Sequence, residues 1–433
     1  METKYRTHYV SDAKSCIGKE VTVAGWAHEI RDIGKLKFVL LRDRTGIIQV
    51  LGKPGMVPDD VIAKMAVQKE TVLSIRGTVK ESKIAPGGIE LVPSSIEILN
   101  HVEGKVPFDI TEKVPPEIDF RLDHRYVDLR RAEPSAIFKI KSEISFAFRD
   151  KLRSLGFMEI NPTCIVGAAT EGGTDVFKIQ YFEKDAYLAQ SPQLYKQMAV
   201  VGGLDRVFMT TPVFRAEKHN TTSHLNEVLQ MDIEMGFADH EDAMSVLEQV
   251  SLNVLSHVKK TCPAELETLH APITVPDEVP RYTYTELFDK LAANGFKIEW
   301  GDDFSREAEA ELIKDLKHEL FFIHKWPTKV RAFYSMPDSQ NEEICNAFDL
   351  MYKGTEIASG AQRIHIPELL VKALQKRGLE PRNFDFYVNA FKTGAPPHAG
   401  WSIGLERIAM KMCNQHNIRE CALFPRDRTR TTP

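Results

Sequence analysis

The sequence predicts an α+β chain in two parts, a small β-barrel followed by a larger domain of strands and helices. Two patterns carry this. Residues 17–100 break into five short apolar or alternating runs separated by turn signals, and beyond residue 134 strand-like runs alternate with helical stripes. Length is the third observation: 433 residues exceed what a single core commonly holds, so two or three domains are expected.

The barrel runs are Val21–Ala27, Leu36–Leu41, Ile47–Leu51, Thr71–Val79 and Ile89–Leu99. Turns are expected at Asp32–Gly34, Thr45-Gly46 and Pro86-Gly87-Gly88, and a helix over Asp59–Lys69. Five strands with a helix after the third is the order of an OB-type barrel, though other small barrels share it. Residues 1–103 form this domain. Residues 104–134 carry Pro107, Pro115, Pro116 and Pro134 among many charges and read as a hinge. Residues 135–433 form the second domain. It opens on a helical stripe, Ile137, Ile140, Ile144, Phe148, Leu152 and Leu155, which Gly156 ends. Strand-like runs follow at Phe157–Ile160, Ala186–Ala189, Val207–Pro212, Leu229–Phe237, Ala347–Tyr352 and Glu356–Gln362, with helices at Ser191–Val201, His240–Lys259 and Leu405–Cys413.

Composition excludes some classes. Hydrophobic residues make up 43% and charged residues 27%, an ordinary folded balance. No apolar run is long enough for a signal peptide core or a membrane span, so no membrane contact is expected. Six cysteines without a C-x-x-C pair indicate neither a zinc cluster nor a disulfide framework, and a reducing cytoplasm fits. The net charge of −5 disfavours a nonspecific polyanion binder, yet residues 17–100 hold 12 basic against 10 acidic side chains. Contact with a polyanion at that end is permitted.

Three constellations in the second part suit a nucleotide-dependent acyl transfer. In Phe214-Arg215-Ala216-Glu217, followed by Ser223-His224-Leu225, a strand-end arginine offers a planar fork to phosphate and Glu217 can accept from an adenine amino group. In His398-Ala-Gly400-Trp-Ser-Ile-Gly404-Leu405-Glu406-Arg407, glycines allow close backbone approach before a helix whose N-terminal end favours anions. In Glu356-Ile-Ala-Ser359-Gly-Ala-Gln-Arg363, Glu356 and Ser359 offer hard oxygens to Mg²⁺, and Arg363 can grip a carboxylate together with Lys196. Each pattern alone also fits something plainer: an ion pair on a solvated hairpin, a tight turn before a buried helix, a surface lysine.

Their order is more specific. Gly156-Phe-x-x-Ile160-x-Pro162 resembles motif 1 of the class II aminoacyl-tRNA synthetases, Phe214-Arg-x-Glu217 motif 2, and Gly400-x-x-x-Gly404-x-x-Arg407 motif 3. The motifs span about 137–162, 207–236 and 398–413. Gln190-Ser-Pro-Gln193-Leu194-Tyr195-Lys196-Gln197, the Arg121-Leu-Asp-x-Arg125 entry and the closing Leu423-Phe-Pro-Arg-Asp427 are similar to the aspartyl group of that family, in its compact archaeal and eukaryotic form. The resemblance covers essentially the whole chain. It implies an OB fold for the anticodon, a catalytic domain on an antiparallel sheet flanked by helices, and a homodimer through motif 1.

It also implies roles. Arg215, Glu217 and Arg407 would be catalytic. ATP would meet Arg215, Ala216, Glu217, Ser223, His224, Leu225, Glu356, Gly404, Leu405, Glu406 and Arg407, and Mg²⁺ would meet Glu356 and Ser359. L-aspartate would meet Glu171, Gln193, Leu194, Tyr195, Lys196, Arg215, Asp232, Ser359 and Arg363. Val228 stands where many relatives carry an adenine-stacking phenylalanine, and Ser223 where many carry arginine. The anticodon would meet Phe38, Gln49 and Glu90. His28 and Pro86 replace the tryptophan and lysine of relatives restricted to tRNA(Asp), so the chain resembles non-discriminating members that also charge tRNA(Asn) and supply a tRNA-dependent amidotransferase. The rivals are a discriminating aspartyl enzyme and an asparaginyl one; relatives of the latter lack the lysine found at Lys196.

Overall fold

The computed structural model describes residues 2–111, 114–167, 175–218 and 221–433. The chain divides into two units, Met1–Glu112 and Lys113–Pro433.

The first unit is a closed five-stranded barrel: β1 (Glu20–Ile33), β2 (Leu36–Asp43), β3 (Gly46–Gly52), β4 (Val72–Glu81) and β5 (Ile89–Asn100), in the order β1-β2-β3-β5-β4. This is the expected OB arrangement. Alternation fills it: Val21, Val23, Val39, Leu41, Ile48, Val50, Leu73, Ile75 and Leu91 point inward and are buried. Two expectations shift. β1 runs through Asp32 to Ile33, because Gly34 (φ +63°) and Lys35 alone close a two-residue hairpin. The helix after β3 is only Asp59–Ala63.

The expected hinge 104–134 is mostly not one. Gln68 Nε2 donates to the Gly104 carbonyl (3.0 Å) and Lys69 pairs with Asp109 (2.8 Å), so residues 104–111 stay with the barrel. Residues Ile118–Asp123 and Arg125–Asp128 are helical and belong to the second unit. Asp128, fully buried, faces Arg121 (3.2 Å), Arg125 (2.5 Å) and Arg131 (3.6 Å). Arg125 also donates to the carbonyls of Glu420, Ala422 and Leu423 at 2.9–3.2 Å. Composition suggested a solvated linker, but these charges are matched internally.

The second unit is built on an eight-stranded sheet. In chain order its strands are β6 (Met158–Glu159), β10 (Arg206–Phe214), β11 (Glu227–Gly236), β12 (Arg281–Thr283), β13 (Leu320–His324), β14 (Ala347–Tyr352), β15 (Thr355–Gln362) and β16 (His398–Gly404); β7 (Ile165–Val166), β8 (Lys178–Tyr181) and β9 (Lys184–Leu188) form a small separate sheet. The order is β12-β13-β14-β15-β16-β11-β10-β6. The centre is antiparallel as expected, but β12 and β6 pair parallel at the two edges, so the sheet is mixed. The helices Ala132–Ser154 and His240–Thr261 cover one face through Ile140, Ile144, Phe148, Leu247, Val250 and Val254. Residues 398–404, read only as a glycine-bearing approach to a helix, are a central strand, and Gly404 is where it meets the Leu405–Met412 helix.

Candidate active site

The face of the sheet away from those helices carries the polar residues. On β11, Met231, Ile233 and Met235 enter the core, whereas Val228, Gln230, Asp232 and Glu234 share the other face. Asp232 and Glu234 are nonetheless buried. Register aligns one row across four strands: Asp349 opposite Ser359, Ser359 opposite Ser402, Ser402 opposite Asp232. Directly opposite residues point the same way, so a single polar stripe crosses the sheet.

Against the middle of the stripe, at Ser359 and Ser402, lies a cleft of about 680 Å³, lined also by Arg215, Glu217, Ser223, His224, Leu225, Val228, Gln230, Glu356, Gly404, Glu406 and Arg407 among others. Residues expected from three separate motifs thus meet. Arg215 follows the last residue of β10, and Asn226 fixes it by donating to the carbonyls of Arg215 (2.6 Å) and Glu217 (3.1 Å). Among the described residues the Arg215 guanidinium has no hydrogen-bond or ion-pair partner, so an anion-binding fork is left open to the cleft. Arg407, in the first turn of its helix, donates to the Glu356 carbonyl (3.1 Å) and lies 3.5 Å from its carboxylate.

The Glu356 end is acidic. Burial, then Asp349, push the Glu356 carboxyl up to about 7 despite Arg407 and Arg331. Burial, then Glu356, push Glu309 up to about 8. Arg331 is the internal counter-charge: it pairs with Asp349, donates to Ser359 Oγ (3.3 Å) and stacks on Trp326 at 4.0 Å. Asp349 Oδ1 is buried with no hydrogen-bond partner among the described residues. Hard oxygens with unspent negative charge fit Mg²⁺. Among the described residues no three of the His, Cys, Asp and Glu side chains form a ready metal cage.

At the Asp232 end of the stripe is a second charged group. Lys196 is buried, 2.6 Å from Asp232 Oδ1 and 3.5 Å from Glu234; Arg363 pairs bidentately with Glu234 at 3.0 and 3.2 Å. The sequence suggested two free cations. The structure supplies two carboxylates, since a buried cation pair without counter-charge is costly. Ser402 Oγ donates to Asp232 Oδ2 (3.0 Å) and so joins this group to the cleft. A Cβ on Gly400 would lie 2.3 Å from both Glu234 Oε2 and the Ile233 carbonyl oxygen of β11, so only glycine fits there. His398 is held neutral by burial: its Nδ1 donates to the Pro396 carbonyl (2.8 Å) and its Nε2 accepts from Gln197 (2.9 Å).

Other expected residues are placed differently. Gln193 turns its amide to Gln197 Oε1 (2.8 Å). Leu194 and Leu405 are core residues and can offer only backbone. Tyr195 is half-buried, and burial raises its phenol. Glu406 lines the cleft, but its carboxylate is committed to Lys141 (2.6 Å) and to the Leu229 amide (2.9 Å). Ala216 faces a neighbouring recess instead. Glu171 lies outside the described residues. Sequence reading missed Gln230, Glu234, Arg331 and Asp349.

On the barrel, Glu29, Leu40, Gln49 and Glu90 stand opposite one another in one row, and Phe38 lies in the next. Gln49 Nε2 donates to Glu90 (3.2 Å), and Phe38 is half-buried on the outer face rather than in the core. His28 occupies a bulge in β1 and is tied to Arg42 (2.8 Å), itself bound bidentately to Glu70. Pro86 is exposed in the β4–β5 turn.

Comparison with known proteins agrees with this layout. A family model described as tRNA synthetases class II (D, K and N) matches residues 117–428, and one described as an OB-fold nucleic acid binding domain matches residues 21–99. The aspartate–tRNA(Asp/Asn) ligase of Methanocaldococcus jannaschii is 48% identical over 99% of this chain and 98% of its own length. The protein of the same name from Methanopyrus kandleri is 48% identical over 96% of each. Among solved structures, the asparaginyl-tRNA synthetase of Pyrococcus horikoshii complexed with asparaginyl-adenylate matches with a TM-score of 0.93 at 31% identity over all of both chains. The aspartyl tRNA synthetase of Entamoeba histolytica matches at 0.87 and 31%, over all of this chain and 94% of its own. A match across 117–428, relatives alike over nearly their full length and motifs 2 and 3 converging on one cleft lead to one conclusion: the chain belongs to the class II aminoacyl-tRNA synthetases of the D, K and N group.

Proposed function

We propose that the chain activates L-aspartate with ATP and Mg²⁺ and transfers it to tRNA(Asp) and tRNA(Asn). One observation carries the reading. Arg215 and Arg407, from different motifs, line one cleft with Glu356 and Ser359, and a polar row leads from it to the buried cation Lys196. The names of the methanogen relatives support both the amino acid and the pair of tRNAs.

In this reading Arg215 holds the α-phosphate and Arg407 the γ-phosphate, with Glu217 at the adenine edge. Leu225, Val228 and Ile418 give adenine an aliphatic bed in place of an aromatic stack. Glu356 and Ser359 would hold Mg²⁺, which when bound would supply positive charge to the phosphate oxygens. Lys196 and Arg363 receive the aspartate side-chain carboxylate, and Asp232 with Gln193 the ammonium group. An asparagine amide would bring no charge to Lys196. The α-carboxylate attacks the α-phosphorus in line and pyrophosphate leaves; positioning and charge stabilisation supply the acceleration. The terminal ribose hydroxyl of tRNA then attacks the carbonyl carbon and AMP leaves. The barrel takes the anticodon, with a base stacked on Phe38 and its neighbours read by Gln49 and Glu90. His28 and Pro86 leave the third base unselected. Aspartyl-tRNA(Asn) would then pass to an amidotransferase. Exposed Phe146 on the Ala132–Ser154 helix and exposed Met158 on β6 support a homodimer through motif 1. No helix among the described residues is long and apolar enough to cross a membrane, and a cytoplasmic site of action is consistent with the reaction.

The test is ATP–pyrophosphate exchange with aspartate and with asparagine, followed by charging of each tRNA. Aspartate should drive exchange, and the two tRNAs should differ in kcat/KM by less than about tenfold, or ~1.4 kcal/mol. Exchange driven by asparagine alone overturns the assignment. Charging of tRNA(Asp) alone removes tRNA(Asn) and leaves aspartate. Pro86→Lys should sharpen selection for tRNA(Asp).

A further inference from the structure

Arg331 takes no part in the reading above, yet its charge sits beside the groups that would hold the metal. It follows the short 3₁₀ turn Thr328–Val330, in the connection from β13 to β14. Its guanidinium pairs with Asp349 and donates to Ser359 Oγ (3.3 Å). Ser359 is one of the two residues given to Mg²⁺, and Asp349 stands directly opposite it on the next strand. Glu356, the other, feels the same guanidinium, which offsets part of the rise that burial and Asp349 impose on its carboxyl.

That charge is fixed in place. The guanidinium lies 4.0 Å from the ring centroid of buried Trp326, a packing suited to a planar cation. Thr328 anchors the turn: its amide donates to the Glu343 carbonyl (2.7 Å) and its hydroxyl to the Glu342 carbonyl (2.8 Å). From the other side Arg377 donates to the carbonyls of Thr328 (2.8 Å) and Arg331. Arg331 Nε is buried without a hydrogen-bond partner among the described residues. Charge and stacking therefore set the placement, at the expense of one donor.

The surroundings call for positive charge. Asp303, Glu309, Asp349 and Glu356 lie within electrostatic reach of one another, and burial together with these neighbours raises the Asp303, Glu309 and Glu356 carboxyls. The cations that face them are Arg331, Arg407 and, beside Glu309, Lys411. Without an ion, the Arg331 guanidinium is the counter-charge at Asp349. With an ion at Glu356 and Ser359, it becomes a like charge bound to one of the ligands. Repulsion scales with the product of the charges, so a divalent ion feels it twice as strongly as a proton competing for the same carboxylate. Removing the guanidinium therefore favours the ion more than the proton.

We propose that Arg331 is a built-in stand-in for the metal: it carries the positive charge of the acidic pocket while no ion is bound, and it weakens the binding of a free divalent cation. The inference rests on the reading of Glu356 and Ser359 as the Mg²⁺ ligands and adds a role for a residue outside the three motifs. Arg331 acts through Asp349 and Ser359, so it is a positioning residue.

The experiment compares the full-length enzyme with Arg331→Gln, Arg331→Lys and Glu356→Gln. Mn²⁺ is titrated without nucleotide and the free ion followed by electron paramagnetic resonance; melting temperature is read in chelator and in excess Mg²⁺. Arg331→Gln should bind Mn²⁺ about tenfold more tightly than the parent, and Arg331→Lys, which keeps the charge, within about twofold of it. Arg331→Gln should melt lower in chelator and recover in Mg²⁺, because the ion replaces the missing charge. The parent, already neutralised, should gain less than about 2 °C from Mg²⁺ alone. A large gain by the parent overturns the proposal, and this arm needs no variant to fold. So does a Mn²⁺ affinity that Arg331→Gln leaves unchanged or lowers, which would make the guanidinium a support of the loop, or an equal rise in Arg331→Lys, which would remove charge as the cause. Loss of Mn²⁺ binding in Glu356→Gln keeps the metal reading whatever Arg331 does; binding unmoved in Glu356→Gln overturns that reading and the proposal together.

Discussion

Lys196 and Arg363 are each already matched by a carboxylate, so they act as halves of a balanced group rather than as open claws. Lys196→Leu and Arg363→Leu should each raise the KM for aspartate, by about 2–5 kcal/mol in binding, because one buried carboxylate loses its partner. The KM for ATP should move far less; an aspartate KM unmoved in both variants would place the amino-acid pocket elsewhere. Glu309 gives a different kind of test. Its carboxyl titrates at about 8 in the folded chain against 4.5 ordinarily, because it is buried beside Glu356, Asp303 and Asp349. Below the ordinary value both states keep the proton and Glu309 costs nothing. As pH rises toward 8 the unfolded chain releases that proton and the folded chain does not, so stability is progressively lost. Glu309→Gln should therefore gain thermal stability over the parent as pH rises from about 5 to about 9, with little difference at the acid end. A difference constant with pH in calorimetry would show that Glu309 is not held protonated. Asp349 was missed in the sequence because a lone acid inside an apolar strand resembles an ordinary exposed position. Only its register opposite Ser359 shows otherwise.

At the scale of elements, β11 explains both what was legible and what was not. Its alternation was readable as a strand. Alternation alone assigns polar residues to solvent, whereas here Asp232 and Glu234 are buried against Lys196 and Arg363. The motif patterns named Arg215, Glu356 and Arg407 in advance because glycines and arginines at fixed spacing survive as sequence signals. Glu234 and Gln230 carry no such spacing. β16 was not read as a strand because glycine normally weakens one. Gly400 is there because Glu234 and the Ile233 carbonyl of β11 take the space of a side chain. Gly400→Ala should displace Glu234 and also press on the Ile233 carbonyl of β11, so it should both raise the aspartate KM by tenfold or more, at least about 1.4 kcal/mol, and lower the melting temperature of the second unit. Gly404→Ala meets nothing closer than 3.4 Å and should be mild by the same assay.

At the scale of the molecule, the barrel and the catalytic unit were both legible, but the boundary between them was not. Charge density and prolines marked 104–134 as linker. Its charges are instead paired around Asp128 and to the carbonyls of residues 420–423. Asp128→Ala leaves three buried guanidiniums short of a counter-charge and should cost the second unit about 3–5 kcal/mol. Calorimetry should show the transition of the barrel unit unmoved; equal loss in both transitions would mean that the pairing does not belong to the second unit alone.

Arg125 and Asn226 both take their partners from residues 420–426, and those residues leave the ribosome after every strand of the sheet. Domains fold from the N-terminal side as they are made. The barrel can therefore be complete, and able to meet an anticodon, while motif 2 still lacks the segment that holds it. During synthesis the chain passes through a stage at which it can recognise a tRNA before it can charge one.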